Sequence, residues 1–502
     1  MSNSAFTLEK TILFWRCVLA TIFTGTLLIS PLSNQPAKAQ LRQYCQLSAA
    51  AAKAKEDLRL AALKGNQDAQ KRYQQLVKQH GQELQNCRDR TWPQVQAVWL
   101  RLYPCDIQPG AIEQVMDRIV NRGYNQVYLE VFYDGQVLLP AANNPTVWPS
   151  AIRTPGAENI DLMATAIQKG RERGLKVYAW MFTKNFGYTY ALRPDRQDAI
   201  ARNGKGQTSL EVTDNNSQVF VDPYNLQAKQ DFYQMVQEVV RRKPDGVLFD
   251  YVRYPRQEGP DSVATRVSDL WLFSPATQAA LLRRAQNNKG LELIRRFIAR
   301  GYITAGDINE LDQLHTDETE PMWQGRIPQP VETESRPSAS QRQPLLQWQL
   351  WQLAVAHAMQ GILDFVSLAA YPAQQQGIPA GVVFFPDGNQ TIGQGYDSRL
   401  QPWDRFPNSL EWHPMSYATC GTASCIVQQV QRVLDAAPPG TKVIPALAGT
   451  WGSSMSNRPS LEVQMEALRQ FAPQLPGVSH FAYSWLYPEH DKDRKFCRVP
   501  SQ

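Results

Sequence analysis

Pro244-Asp245-Gly246-Val247-Leu248-Phe249-Asp250-Tyr251-Val252-Arg253-Tyr254-Pro255-Arg256 is the stretch of this 502-residue chain that decides its fold. A short apolar run ending abruptly in a carboxylate, an arginine and aromatics reads as a buried parallel strand with polar side chains at its C-terminal end. Barrel enzymes place their chemistry at that end of their strands. Outward from this stretch, short β-type runs alternate with helical patterns. Upstream, strands are expected at 95–100, 126–132 and 176–182, each followed by a helix, at 112–122, 162–173 and 226–242; 246–251 is the fourth strand. Downstream come a helix at 345–363, strands at 381–385, 411–417, 442–447 and 479–485, and helices at 426–434 and 461–471. Eight strands with intervening helices predict an α/β fold of the (β/α)8 TIM-barrel kind. Arg122-Gly123 and Arg173-Gly174 end two of the helices on the residue that best adopts the left-handed C-cap, and Pro439-Gly440 and Pro476-Gly477 serve similarly. The competing architecture, an open doubly wound sheet, lacks a Gly-x-Gly-x-x-Gly after the first strand.

Around the barrel the chain divides further. Residues 1–39 have a signal-peptide layout: Lys10 and Arg16, an apolar run over 17–32, then Ala37-Lys38-Ala39 as a cleavage site, so the mature chain is expected to begin near Gln40. Residues 40–91 form an α-helical hairpin, rich in Ala, Gln, Lys and Glu and broken at Gly65-Asn66. The barrel occupies 92–256 and 345–490, with a tail at 491–502. The insertion at 257–344, between strands four and five, looks helical over 264–314 and, being rich in Pro, Gln, Ser and Glu, reads as a mobile linker over 315–343. It lies above the expected catalytic face, as a lid, a substrate-contacting element or decoration. No stretch after the signal reads as long and apolar enough to span a membrane.

Loss of Lys10, Arg16 and Lys38 against Glu9 lowers the formal charge of +6 by two, and the remaining basic residues are scattered. Nucleic acid is therefore not an expected partner, whereas acidic glycans are compatible. Removal of Cys17 leaves six cysteines in an oxidising compartment, the periplasm or outside the cell. Cys45 and Cys87 flank the hairpin turn at similar distances and meet at its mouth if the helices are antiparallel. Cys420 and Cys425 close a short loop, and Cys105 and Cys497 remain to join the ends of the barrel. No Cys/His spacing suggests zinc, and no cofactor is implied.

The strand ends supply the candidate site. Glycosidic cleavage needs one carboxyl to protonate the leaving oxygen and a second to activate water or attack the anomeric carbon. Asp250, after three apolar residues, is the leading acid; a salt bridge to Arg253 is its competing, structural role. Glu130 shares a strand face with Tyr128 and Phe132 and is the second candidate, unless it only bridges Arg101. Substrate contacts are expected from Arg101, Tyr133, Trp180, Asn185, Arg253, His413, Tyr417, Trp451, Tyr483 and Trp485, an amide, arginine and aromatic set suited to sugars. Asp387, in Pro386-Asp387-Gly388, reads as a turn residue, and Asp222 as a cap of the following helix.

The 245–255 segment resembles the fourth-strand motif of the glycosyl hydrolase-like 10 family, extracytoplasmic (β/α)8 proteins of which some act on bacterial cell-wall glycan. The resemblance covers about 92–490, supported by Glu411-Trp412-His413-Pro414-Met415-Ser416-Tyr417 and by Phe481-Ala482-Tyr483-Ser484-Trp485. The family form has two adjacent aspartates where this chain has Phe249-Asp250, so Asp250 alone carries over. Family 18 chitinases are also similar here, but alignment on Asp245-Gly246 puts Leu248 and Val252 where their second aspartate and acid would stand. The segment 444–450 also lacks the acidic nucleophile of many retaining barrel glycosidases. The resemblance implies an exported glycoside hydrolase acting on a polysaccharide, of the peptidoglycan amino-sugar type. The alternative is a non-catalytic glycan-binding barrel of the cell envelope, and the hairpin is a candidate envelope contact.

Overall fold

The computed structural model describes residues 44–213, 217–328 and 336–498. The expected signal segment lies outside them. The chain begins with helices α1 (Ala49–Leu63) and α2 (Gln67–Arg88). Asn66 turns between them and accepts a 3.0 Å bond from the Ala69 amide, an N-cap that starts α2. The barrel follows as β1 (Val95–Leu100), α3 (Ala111–Asn121), β2 (Gln126–Tyr133), α4 (Leu162–Arg171), β3 (Lys176–Phe182), α5 (Leu226–Arg241) and β4 (Gly246–Asp250). The insertion contributes α6 (Pro275–Leu282), α7 (Asn288–Arg300) and α8 (Ala305–Leu314). After α9 (Ala339–Gln374) come β5 (Ala380–Phe384), β6 (Glu411–Ser416), α10 (Ser424–Ala436), β7 (Ala446–Ala448), α11 (Leu461–Phe471), β8 (Gly477–Phe481) and α12 (Pro488–Lys495).

Among the described residues, β1 to β8 pair in sequence, all parallel, and β8 returns to β1 with Val95 opposite Gly477. That closed eight-stranded ring is the (β/α)8 barrel expected from the sequence. Its interior is a packed aromatic column: the Trp99 ring lies 4.9 Å from Tyr128 and 4.8 Å from Trp180, both edge-on. Gly246 leaves room for this packing, since a Cβ there would meet the Tyr178 ring at 2.3 Å.

Two strands end differently from expectation. β8 stops at Phe481, and Tyr483–Leu486 is a helical turn, because the neighbouring β7 offers its last partner, Ala448, opposite Phe481. β7 is shortened at its start by Pro445, which has no N–H to give the ladder; 442–444 only bridges Trp412. Helix α9 is longer at both ends than expected. Contrary to the sequence reading, it is long and apolar enough to span a membrane by length and composition, yet 56% of its most apolar window is buried. It packs against α5, and Ala358 accepts a 3.2 Å bond from the Tyr254 hydroxyl.

The hairpin faces the barrel through buried polar groups. Asp117 of α3 accepts from the Tyr73 hydroxyl at 2.7 Å and from Arg173 Nε at 2.8 Å, with Lys55 Nζ 3.4 Å away. Arg88, buried, donates to the carbonyls of Tyr44 and Pro93 at 2.7 and 3.1 Å. The three expected disulfides are present: Cys45–Cys87, Cys105–Cys497 and Cys420–Cys425. The insertion is tied down rather than loose where it is described, with Glu320 paired to Arg326 and Arg336, and Asp312 to Lys289 and Arg342. Residues 329–335 of the expected linker lie outside the described set.

Candidate active site

Period-2 alternation puts Trp99, Tyr128 and Trp180 inside the barrel, and the next inward positions along β1, β2 and β4 are polar: Arg101, Glu130 and Asp250. Glu130 sits opposite Trp180, and Asp250 opposite Phe182 one strand further round. These side chains surround a pit of about 240 Å³ at the C-terminal mouth of the barrel, closed by Tyr251, Arg253, Val383, Phe385, Met415, Tyr417 and Phe481.

Asp250 is buried, and both of its oxygens accept bonds: Oδ1 from the Tyr251 amide at 2.6 Å and Oδ2 from Trp180 Nε1 at 3.1 Å. The first contact depends on Tyr251 adopting φ 54°, a left-handed conformation uncommon outside glycine, which folds the chain back onto the end of β4. Burial raises the Asp250 pKa to about 6, with the Tyr251 amide, Arg253 and Trp180 pulling the other way. No ion pair joins Asp250 to Arg253 among the described residues.

Glu130 is 1% exposed, and both of its oxygens meet the Arg101 guanidinium, Nη2 to Oε1 at 3.1 Å. Burial lifts its pKa to about 7 against the opposing pull of Arg101, with Asp134 and Asp250 adding to the rise. The two carboxyls thus line one cavity, and the charge of Asp250 adds to the rise at Glu130. Arg101 is held in turn over the Tyr133 ring at 4.1 Å. Arg253 is buried, donates through Nη1 to the Tyr254 carbonyl at 2.9 Å and lies 4.6 Å from the Tyr251 ring centre.

Of the residues singled out in the sequence, the pit gathers Asp250, Glu130, Arg101, Trp180, Arg253 and Tyr417, with Tyr133 supporting Arg101. Trp485 stands behind the wall, 5.8 Å from the Phe481 ring. The other four are elsewhere. His413 is inside the barrel below the pit, 3.4 Å from Glu411, with its ring edge-on to Tyr128. Asn185 is buried and accepts from the Val219 amide at 3.0 Å, holding a loop. Trp451 packs on Tyr44 and donates to the Tyr124 hydroxyl at 3.1 Å, so it faces the hairpin side. Tyr483, past the end of β8, is buried against His490, its hydroxyl 2.9 Å from Nδ1. Asp387 pairs with Arg399 at 3.1 Å. Asp222 caps α6 through the Thr277 amide at 3.0 Å rather than the helix that follows it, which Asn225 caps.

Trp99, Phe385, Met415 and Phe481 line the pit without having been singled out. For Trp99 and Met415 a signal exists: each stands two residues before a predicted site residue, Arg101 and Tyr417, and so shares its strand face. Among the described residues no group of three or more His, Cys, Asp or Glu is arranged to hold a metal ion.

Residues 75–269 match the model of the glycosyl hydrolase-like 10 family, a span containing β1 to β4 and both pit carboxyls. The resemblance read from the fourth strand is borne out over that stretch. No curated protein matches the chain. Among solved structures, the PgaB (BpsB) glycoside hydrolase domain from Bordetella bronchiseptica is similar at 14% identity and a TM-score of 0.45, covering 80% of this chain and 98% of that one. The GH20 exo-β-N-acetylglucosaminidase of Vibrio harveyi is similar at 8% identity and a TM-score of 0.38, covering 81% of this chain and 53% of that one.

Proposed function

We propose that this protein is an exported glycoside hydrolase that cleaves O-glycosidic bonds in an amino-sugar polysaccharide of the peptidoglycan type. One observation carries the reading: two buried carboxyls, Asp250 and Glu130, line a single pit whose other walls are mostly aromatic. A pair of carboxyls around a sugar-sized space is the minimum equipment for glycosidic cleavage. The family match over both residues supports it.

Burial lifts Glu130 to about 7, above the value of about 6 for Asp250, but the two-pronged Arg101 contact to both Glu130 oxygens opposes that rise, and on this geometry we assign the anion to Glu130 and the proton to Asp250. Asp250, with a pKa of about 6, is suited to donate to the leaving oxygen. Glu130 then faces the positive charge that develops at the anomeric carbon, or activates water. Trp99, Trp180 and Phe481 offer ring faces and edges to the sugar.

Export is supported by the three disulfides and by the layout of residues 1–39; an intact mass beginning near Gln40 on protein recovered outside the cytoplasm tests it. The outer face of the α1–α2 hairpin is the surface left for an envelope contact. A second reading, a glycan-binding barrel without turnover, is favoured by the same Arg101 contacts, because they occupy the partner carboxylate. Release of reducing ends from peptide-free glycan strands and chitin-type oligomers decides between them. The hydrolase releases them and Asp250→Asn does not; binding without release by the unaltered protein selects the second reading.

A further inference from the structure

Beside the pit lies a larger cavity of about 740 Å³. One wall comes from the loop after β3, including Asn203, Lys205 and Gln218, and the other from the start of the insertion after β4, including Arg256 and Gln257. Arg253 and Phe385 line both spaces, so pit and groove adjoin with Arg253 at the junction.

Arg253 is an unusual residue to find there. It is 6% exposed, yet its hydrogen-bond acceptor is one backbone carbonyl, and its other neighbours are the rings of Tyr251, Phe220 and Phe385 at 4.6, 5.5 and 5.7 Å. No carboxylate lies within ion-pair distance among the described residues. Arg399, against the same Phe385 ring at 4.7 Å, is by contrast paired with both Asp387 and Asp397. A buried guanidinium without a counter-ion is costly, and its planar fork matches a carboxylate. The acidic residues of the groove do not fill that place. Glu211 accepts from the Thr208 amide at 2.6 Å, Asp269 from the Arg266 amide at 2.9 Å, and Glu258 and Asp261 are exposed. Asp250 already accepts from Trp180 and Tyr251.

We propose that the groove is a subsite for the stretch of glycan beyond the cleaved bond, and that Arg253 receives a carboxylate carried on that stretch. The preferred substrate is then an acidic polysaccharide, selected at the junction, and the insertion is a substrate-contacting element. This rests on the hydrolase reading for its catalytic readout, but not for its binding readout.

The test compares peptide-free amino-sugar strands bearing lactyl-ether carboxylates with the same strands after carboxyl reduction to alcohols, and with a polyuronate. Reducing-end release is measured for the unaltered protein, Arg253→Met and Arg253→Lys, and binding is measured on Asp250→Asn protein by tryptophan fluorescence. Carboxyl reduction is expected to lower kcat/KM at least ~10-fold for the unaltered protein, the scale of one charge-assisted contact. Arg253→Met is expected to bring the acidic-to-reduced ratio close to one, with Arg253→Lys between. A ratio near one in the unaltered protein overturns the proposal without any variant having to fold, and so does a ratio unchanged by Arg253→Met. Use of the polyuronate places the carboxylate on the sugar ring, and use of the lactyl strand alone places it on the ether; either supports the assignment. If nothing is cleaved, the hydrolase reading fails while carboxylate-dependent binding still upholds Arg253; equal binding of acidic and reduced strands overturns it.

Discussion

Replacing Asp250 by Asn is expected to make the fold more stable at alkaline pH relative to acid, while removing activity. The Asp250 carboxyl is raised from 3.8 to about 6 by burial, so the folded chain binds its proton more tightly than the unfolded chain does. The stability this proton provides is fully present below the unfolded pKa and is lost as pH rises through about 6. At ~1.4 kcal/mol for each tenfold in proton affinity, the ionised side chain destabilises the fold by ~3 kcal/mol at pH 8 relative to pH 3. Asparagine does not ionise and escapes that penalty. It does introduce a mismatch, because its NH2 group meets a donor: both Asp250 oxygens accept, from Tyr251 N and Trp180 Nε1. That mismatch costs ~1–2 kcal/mol but is independent of pH. The informative quantity is therefore the difference in Tm between variant and unaltered protein, followed by calorimetry from pH 3 to 8. For a chain of this size ~3 kcal/mol corresponds to ~3 °C, and the difference should move in favour of the Asp250→Asn variant by that amount across pH 4 to 7. A flat difference over the whole range refutes the claim that Asp250 is held in an environment hostile to its charge, and with it the basis for calling it the acid.

Trp180→Phe removes the 3.1 Å donor to Asp250 Oδ2, a contact that lowers the Asp250 pKa. The pH–rate limb governed by that acid should move ~0.5–1 toward higher pH, and a limb that stays put argues that the bond does not act on the reacting carboxyl. Arg101→Met leaves Glu130 buried without its cation. Chemical denaturation should show a loss of ~3 kcal/mol at pH 8 and less at pH 5, where Glu130 takes a proton instead. Equal losses at both pH values contradict the pairing. Cys45→Ala with Cys87→Ala opens a loop with a sequence separation of 42. Chain entropy puts the destabilisation at ~4 kcal/mol, read as a lower Tm, and no change means that Arg88 and Asp117 alone hold the hairpin.

Much of this architecture is legible in the sequence because the barrel is built from local patterns. The 176–182 strand and the 461–471 helix fall where apolar alternation and the 3.6-residue period put them, and the Cys45–Cys87 pairing follows from the geometry of the helical hairpin. Errors concentrate where a neighbour decides. Nothing local in Ser479–Trp485 says that pairing stops at Phe481; the end of β7 does, and with it Tyr483 turns away from the mouth. Trp451 has a sugar-platform composition around it, but the hairpin that claims it folds from residues some four hundred positions earlier. Asp222 follows the same logic: its capping chemistry is local and legible, while the helix it serves belongs to the insertion.

Asp250 and Glu130 differ from these cases, since Asp250 is recognisable as a carboxyl ending an apolar strand and Glu130 as one on the face it shares with Tyr128 and Phe132, and inward faces near the strand ends converge in a closed barrel whatever the loops do. Convergence delivers only position, however. The chemistry comes from what touches each oxygen. Tyr251 reaches Asp250 because its backbone takes a left-handed turn, and Arg101 reaches Glu130 because β1 and β2 are neighbours in register. Those contacts distinguish two otherwise similar buried acids: Asp250 is held by an amide and an indole N–H, and Glu130 by a cation. The same reasoning sets Arg253 apart. It lies three residues beyond Asp250, on the turn that Tyr251 bends, and its guanidinium reaches the junction with no carboxylate within ion-pair distance among the described residues. On the proposed reading, a strand that ends in Asp-Tyr-Val-Arg presents, within one turn, a proton donor to the bond and a cation to the chain that carries it.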